Sequence, residues 1–221
     1  MPQHTNNEAE NLWLARALWD LGAVRFGDFT LGRSTVHSPV YINPRRIISR
    51  PSVLRRAVKV MTSEIATDAG RLNPHFQQFQ RVSGVPIGGL LLATVFSLTN
   101  RVPMLYAHAA SPARGDNQPI EGSYEPDERV LLIDDLITSG GSVEETAHIL
   151  RNEGLDVRNA IVLIDRGEGA AARLRRIGIG LTSILTLETM LNYYLSTGRI
   201  DEHLYRKCSE YMEAKRTETE S

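Results

Sequence analysis

The segment from Arg129 to Ser142, R-V-L-L-I-D-D-L-I-T-S-G-G-S, limits what this chain can fold into more than any other. Four apolar residues, Val130 to Ile133, run into the acidic pair Asp134 and Asp135. Leu136 and Ile137 follow, and then a small polar turn, Thr138 to Ser142. An uninterrupted apolar run of this length, bounded by turn signals, reads as a strand buried on both faces of a parallel sheet. We expect that strand to end at its carboxylates and to pass into a helix over Val143 to Asn152, with Gly154 as the stop. Glycines at such a junction let the backbone turn tightly, so that amide N–H groups and hydroxyls converge at a helix N-terminus, where an anion is favoured. The turn is therefore a candidate phosphate cradle. The two acids beside it suit the hydroxyls of a sugar, or a magnesium ion bound on them. Two consecutive acids at this fixed distance from T-S-G-G-S set the stretch apart from an ordinary turn.

The rest of the chain repeats the strand–helix alternation. Leu14, Ala17, Leu18 and Leu21 recur at helical spacing from about Glu8 to Gly22. A-V-R-F-G-D-F-T-L and P-V-Y-I-N-P-R-R-I, on either side of G-R-S-T, predict two short antiparallel strands. A helix follows Pro51, with Leu54, Ala57, Val58, Met61 and Ile65 on one face, and stops at Gly70. After an irregular stretch, a strand at Arg81 to Ser83 leads through Gly84 to Gly89 into a helix over Leu90 to Leu98. Further strands are expected at Val102 to Ala107, Val157 to Ile164 and Gly178 to Leu185. A short Arg-rich helix precedes the last of these, and two helices follow from about Leu187 and Asp201. This order implies an α/β fold, a mostly parallel sheet with helices on both faces, in one domain spanning residues 1–221. Ligands of such sheets bind at the carboxyl ends of the strands, where Gly84, Asp134 and Asp165 all belong.

Composition excludes several classes of partner. The net charge of -1 gives no electrostatic reason to expect nucleic acid or a membrane surface. No apolar run approaches membrane-spanning length, and the polar start M-P-Q-H-T-N-N-E is unlike a signal peptide. The single cysteine, Cys208, allows no internal disulfide and points to the cytoplasm. No G-x-G-x-x-G follows a strand and no G-x-x-x-x-G-K occurs, which argues against a dinucleotide oxidoreductase and a P-loop nucleotidase.

The central stretch resembles the phosphoribosyl-pyrophosphate (PRPP) motif of type I phosphoribosyltransferases. The resemblance implies that Asp134 and Asp135 meet the ribose hydroxyls, directly or through magnesium, and that Thr138, Ser139, Gly140, Gly141 and Ser142 cradle the 5′-phosphate. Other stretches resemble the orotate phosphoribosyltransferase branch. F-G-D-F-T-L followed by S-P-V-Y-I-N is similar to its N-terminal hood, and S-G-V-P-I-G-G-L to its pyrophosphate loop, giving Gly88 and Gly89 a role with PRPP. I-D-R-G-E-G is similar to its base-binding segment, which gives Arg166, together with Thr138, to the pyrimidine and leaves Glu168 structural. The hood residues Tyr41 and Ile42 then cover the base, although one of them reads equally as core. Where the branch has a lysine after F-x-L, this chain has Gly32-Arg33 with one residue inserted, so Arg33 is the stand-in. E-T-M-L-N-Y-Y-L-S-T-G-R-I is similar to the C-terminal helix of the branch. The resemblance implies a type I phosphoribosyltransferase fold with a small hood (within residues 1–50, plus the C-terminal helices), magnesium as cofactor, PRPP and a pyrimidine base as substrates, and a homodimer.

The catalytic loop departs from the family pattern. Anchoring Tyr106, Gly115 and Ile120-Glu121-Gly122 without gaps puts His108 at the usual arginine and Arg114 at the usual histidine. Ala109 or Ala110 and Pro112 fall at the usual lysines. Those cations neutralise charge growing on the departing pyrophosphate, and losing one such donor commonly costs about 10²–10³ in rate. Lysine occurs only at Lys59, Lys207 and Lys215, so arginine supplies the other 22 of the 25 basic residues. Drift toward arginine would have left arginines in the loop, not alanine and proline. The sequence thus supports an active orotate transferase with Arg114 as the remaining strong loop cation. It also leaves open an impaired PRPP-binding or nucleotide-binding relative with a regulatory role, or transfer to another base. Should the loop be silent, cations would have to come from Arg45, Arg46 or a partner subunit.

Overall fold

The computed structural model describes residues 3–4, 11–31, 35–108 and 119–220; Arg33 and Arg114 lie outside them. In chain order the elements are β1 (Gln3–His4), α1 (Leu12–Asp20), β2 (Val24–Leu31), β3 (Thr35–Ile42), a 3₁₀ turn (Pro44–Ser49), α2 (Pro51–Ala69), β4 (Arg81–Gly84), α3 (Gly88–Asn100), β5 (Met104–Ala107) and β6 (Ile120–Glu121). Then come β7 (Arg129–Ile137), α4 (Gly141–Asn152), β8 (Asp156–Asp165), α5 (Ala170–Arg176), β9 (Gly180–Thr186), α6 (Leu187–Ser196) and α7 (Glu202–Glu220).

The apolar run of the central motif forms β7, the middle strand of a seven-stranded sheet ordered β1-β9-β8-β7-β4-β5-β6. Every pairing is parallel except that of β5 with β6. Parallel strands in mid-sheet must bury both faces, and the side chains of β7 divide accordingly. Leu131 and Ile133 enter a core shared with α1, α2, α3 and α6, whereas Val130 and Leu132 enter one shared with α4 and α5. From β7 the chain winds outward through β8 and β9 on one side, and from β4 through β5 on the other. Strand order therefore reverses between β4 and β7, and that switch point opens a crevice at the strands' carboxyl ends.

The expected antiparallel pair is present as the separate β2–β3 hairpin, though shorter than the sequence suggested. The second strand is expected to continue through Ile47. It stops at Ile42 because Pro44 fixes its own φ and offers no N–H to a ladder, and the chain enters the 3₁₀ turn instead. The opposite error occurs in β7. It does not end at its carboxylates but runs on to Ile137, because β8 continues the ladder, with Asp134 opposite Val162, Leu136 opposite Ile164 and Ile137 opposite Asp165. The acidic pair thus sits inside a strand. The hairpin is joined to the main body by α7, which packs against β3 and α5; the Tyr194 hydroxyl of α6 separately ties α6 to α1 by donating to the Ala15 carbonyl at 2.8 Å.

Candidate active site

Glycine brings β4, α3 and β7 together at the switch point. A Cβ on Gly89 would lie 2.2 Å from the Ile133 carbonyl oxygen, and one on Gly88 would lie 2.2 Å from the Asp135 carboxyl carbon. Only at bare backbone can α3 start this close to the acidic pair. The contact is also polar, since the Gly89 backbone hydrogen-bonds to the Asp134 carboxylate, and so does the Asp135 N–H, at 2.8 Å. Asp134 is buried and Asp135 half-buried. Burial, and then the neighbouring Asp135 charge, hold the Asp134 carboxyl well above the usual carboxylate range. Burial also raises Asp135, against the opposing pull of its hydrogen bond with Asp134 and of the Arg45 guanidinium. A pair held this way has an unmet demand for positive charge.

Two cavities open on the pair. The larger, about 540 Å³, is lined by Asp134 and by all five residues from Thr138 to Ser142, with Arg173 on its rim. Gly140 turns the chain into α4 with φ +87°, a conformation that glycine adopts freely. The first-turn amides of α4 have no intrahelical acceptor. The smaller cavity, about 190 Å³, lies on the other side of the pair, between the β4–α3 turn and the 3₁₀ turn. Gly88, Ile42 and Arg45 line it together with both acids. Asp134, Leu136 and Ser142 border both cavities, so the two adjoin.

The structure therefore gathers Asp134, Asp135, Thr138 to Ser142, Gly88 and Ile42 around one crevice. Gly89 borders it from behind. Tyr41 and Ile42, being neighbours on a strand, point to opposite faces: Ile42 reaches the smaller cavity, while the Tyr41 ring packs on Phe29 with centroids 5.6 Å apart. Arg166 follows the end of β8, and its N–H donates to the Ile137 carbonyl at 3.0 Å, next to Thr138. Its side chain is 3% exposed. Nη2 donates to Ser38 Oγ of β3 at 2.9 Å, and Nε lies 2.8 Å from Glu168 Oε1. That last contact is an ion pair lacking the alignment of a hydrogen bond. Burial raises the Glu168 carboxyl, with Arg166 and Lys215 pulling it back. His108 is not displayed as a loop cation: it is 8% exposed, with Nε2 3.6 Å from Glu121 Oε1. Its N–H donates to the Pro119 carbonyl at 2.9 Å, extending the β5–β6 pairing.

The motifs did not point to Arg173, and they named Arg45 only as an alternative source of cations; both line the crevice. Arg173 comes from the Arg-rich α5 and is held by Glu144, with Nε donating to Oε2 at 2.6 Å. Both arginines reach the crevice by tertiary packing, and their only sequence signal was their charge. Among the described residues, no three His, Cys, Asp or Glu side chains converge as a metal site. The acid pair nonetheless fits magnesium. Two hard oxygen donors with unmet demand for positive charge match an ion that takes one or two carboxylates and completes its shell with substrate oxygens and water.

The crevice lies within the stretch, residues 76–178, that matches the phosphoribosyl transferase domain family. Orotate phosphoribosyltransferase of Caenorhabditis elegans is 40% identical to this chain over 185 residues, covering 84% of this chain and 78% of that protein. The chain belongs to the orotate phosphoribosyltransferase family. Bovine uridine 5′-monophosphate synthase is likewise 40% identical over 178 residues, which make up 80% of this chain but 35% of that longer protein. Among solved structures, the UMP synthase of Leishmania donovani superposes with a TM-score of 0.80 at 30% identity, covering 94% of this chain and 43% of that one. In this orotate phosphoribosyltransferase family member the expected type I fold is thus present, with the β2–β3 hairpin forming a separate two-stranded sheet that α7 packs against.

Proposed function

We propose that this protein transfers the ribose 5-phosphate of PRPP to orotate, giving orotidine 5′-phosphate and pyrophosphate. The observation that carries this reading is the pair of adjoining cavities, which share Asp134, Leu136 and Ser142. One has a helix N-terminus and hydroxyls and suits a monophosphate. The other has the acid pair, a glycine turn and a guanidinium, and suits a diphosphate with its counter-ion. PRPP carries those two groups on either side of one ribose.

In this reading Thr138 to Ser142 hold the 5′-phosphate, while Asp134 and Asp135 hold the ribose hydroxyls and, with them or through water, magnesium. When bound, that ion neutralises charge on the diphosphate. The bond from C1′ to the diphosphate oxygen breaks with its electron pair remaining on oxygen. N1 of the base forms the new bond to C1′, and the N1 proton passes to water. Gly88 faces the diphosphate, whereas Gly89 fixes the Asp134 carboxylate. Thr138 and Ile42 serve the base, and Arg166, Tyr41, Arg33 and Arg114 keep the roles their motif positions imply. The named relatives favour orotate transfer over a regulatory role. We further propose a homodimer and a cytoplasmic location; no helix among the described residues is long and apolar enough to cross a membrane.

The test is a coupled assay with PRPP, magnesium and orotate, alongside calorimetry with PRPP on the Asp134→Asn/Asp135→Asn double variant. The natural protein should form orotidine 5′-phosphate, and the double variant should lose PRPP binding. Absence of product would reject the transferase reading, and unchanged PRPP affinity in the variant would reject the assigned site.

A further inference from the structure

A transferase of this kind must place positive charge against the departing pyrophosphate, and the segment where relatives carry lysines here carries Ala109, Ala110 and Pro112. His108, at the foot of that segment, is buried beside Glu121. Arg114 is the one strong cation that segment keeps, so the charge that the missing lysines would supply has to be sought on the crevice wall. Two adjacent arginines in the 3₁₀ turn stand close to it, and the structure separates them. Arg46 is tied down, with Nη1 donating to the Gly22 carbonyl at 2.9 Å. Arg45 is exposed and lines the smaller cavity opposite Gly88 and the acid pair. Its Nε donates to Asn43 Oδ1 at 3.1 Å, and among the described residues its terminal nitrogens have no protein partner.

We propose that Arg45 is a catalytic cation of this protein. Its guanidinium grips the diphosphate of PRPP and stabilises the negative charge left on the oxygen when the C1′–O bond breaks. The assignment rests on the transferase reading above. With both acids ionised, the smaller cavity carries two negative charges against one positive, and a diphosphate adds more. A magnesium ion on the acids answers part of that imbalance, and Arg45 is the lining side chain able to answer the rest. A guanidinium suits the task, because it stays charged at any working pH and presents a planar fork to phosphate oxygens. The Asn43 contact holds one edge of the fork and leaves the other for the ligand. Pro44 adds rigidity, since the 3₁₀ turn that carries Arg45 starts at that fixed φ.

Steady-state kinetics and calorimetry with magnesium pyrophosphate on the natural protein, Arg45→Ala, Arg45→Lys and Arg46→Ala test the proposal. Arg45→Ala should lower kcat by about 10²-fold, the usual effect of losing a donor to developing charge. It should weaken pyrophosphate binding at least ~10-fold, as expected for a lost charge-assisted pair. The KM for orotate and the affinity for ribose 5-phosphate should not change. Arg45→Lys should recover part of the rate, as a point charge without the fork does. Arg46→Ala should lower the melting temperature and leave pyrophosphate affinity unchanged. An active natural protein whose kcat and pyrophosphate affinity survive Arg45→Ala would overturn the proposal, as would an equal loss of affinity in Arg46→Ala. If the natural protein shows no turnover but Arg45→Ala still weakens pyrophosphate binding, the assignment of Arg45 to that ligand stands and the transferase reading fails.

Discussion

Asp134 shows what the site costs the fold. Its carboxyl is buried, accepts two backbone hydrogen bonds and stands beside a second acid, and the net result is a raised pKa. The sign of the consequence follows from linkage. In the folded protein the group holds its proton to higher pH than in the unfolded chain, where an aspartate titrates near 3.9. Stability attributable to Asp134 is therefore complete below that value and is lost as pH rises through the folded pKa. At neutral pH the residue is a liability in the absence of ligand. Asp134→Asn keeps the acceptor for the Gly89 and Asp135 amides and removes the charge. The variant should melt higher than the natural protein at pH 7, and the gain should vanish below about pH 4. At a cost of 1 kcal/mol the difference would be about 2–4 °C in a chain of this size. Thermal denaturation across that pH range checks it, and a variant that melts lower at pH 7 would show that the charge is already compensated within the fold.

At the scale of elements, the glycines of the β4–α3 turn divide into two kinds. A methyl at Gly89 would press on the Ile133 carbonyl, part of the central strand, which cannot move aside. A methyl at Gly88 would meet the end of the Asp135 side chain, which can rotate away. Gly89→Ala should thus cost about 1–3 kcal/mol as overpacking against backbone, while Gly88→Ala should fold nearly normally and bind PRPP poorly. Chemical denaturation paired with PRPP titration distinguishes them, and the opposite ranking would refute this packing argument. The T-S-G-G-S turn, the order of the longer strands and helices and the β2–β3 hairpin were legible in the sequence, because apolar period and glycine placement are local signals; the two-residue strands β1 and β6 are too short to carry one. The extent of β7 was not: two acids look like a strand end, yet the ladder with β8 carries them inside. Nor was the burial of Arg166, which depends on Ser38, contributed by the hood far away in sequence. The same holds for Arg45, which reaches the acid pair only because the chain folds the 3₁₀ turn against β7.

At the scale of the whole molecule, α3 is unusual for a helix on the outside of a sheet. Its sequence, G-G-L-L-L-A-T-V-F-S-L-T-N, contains no charged residue. Leu92, Ala93 and Phe96 face the core, with Val95 packed against it, while Leu91, Thr94 and Leu98 recur at helical spacing on the other side, with Leu98 78% exposed. Solvent-facing helix surfaces normally carry charge, and its absence over an apolar stripe is the composition of an interface between subunits. An isologous contact through this face would set the two copies of α3 against each other and bring the twofold axis close to Gly88 and the pyrophosphate end of the crevice. We therefore expect a homodimer of 24.6 kDa subunits, with Leu98→Glu shifting it toward monomer by burying an unpaired charge at the contact. Light scattering at micromolar concentration measures both. A natural protein that is monomeric there would reject the dimer, and a dimer indifferent to Leu98→Glu would move the interface off α3. Should Leu98→Glu separate the subunits, kcat would show whether the site at the amino end of α3 depends on the partner. Lost turnover with intact ribose 5-phosphate binding would mean that dimerisation orders only the leaving-group end of the crevice.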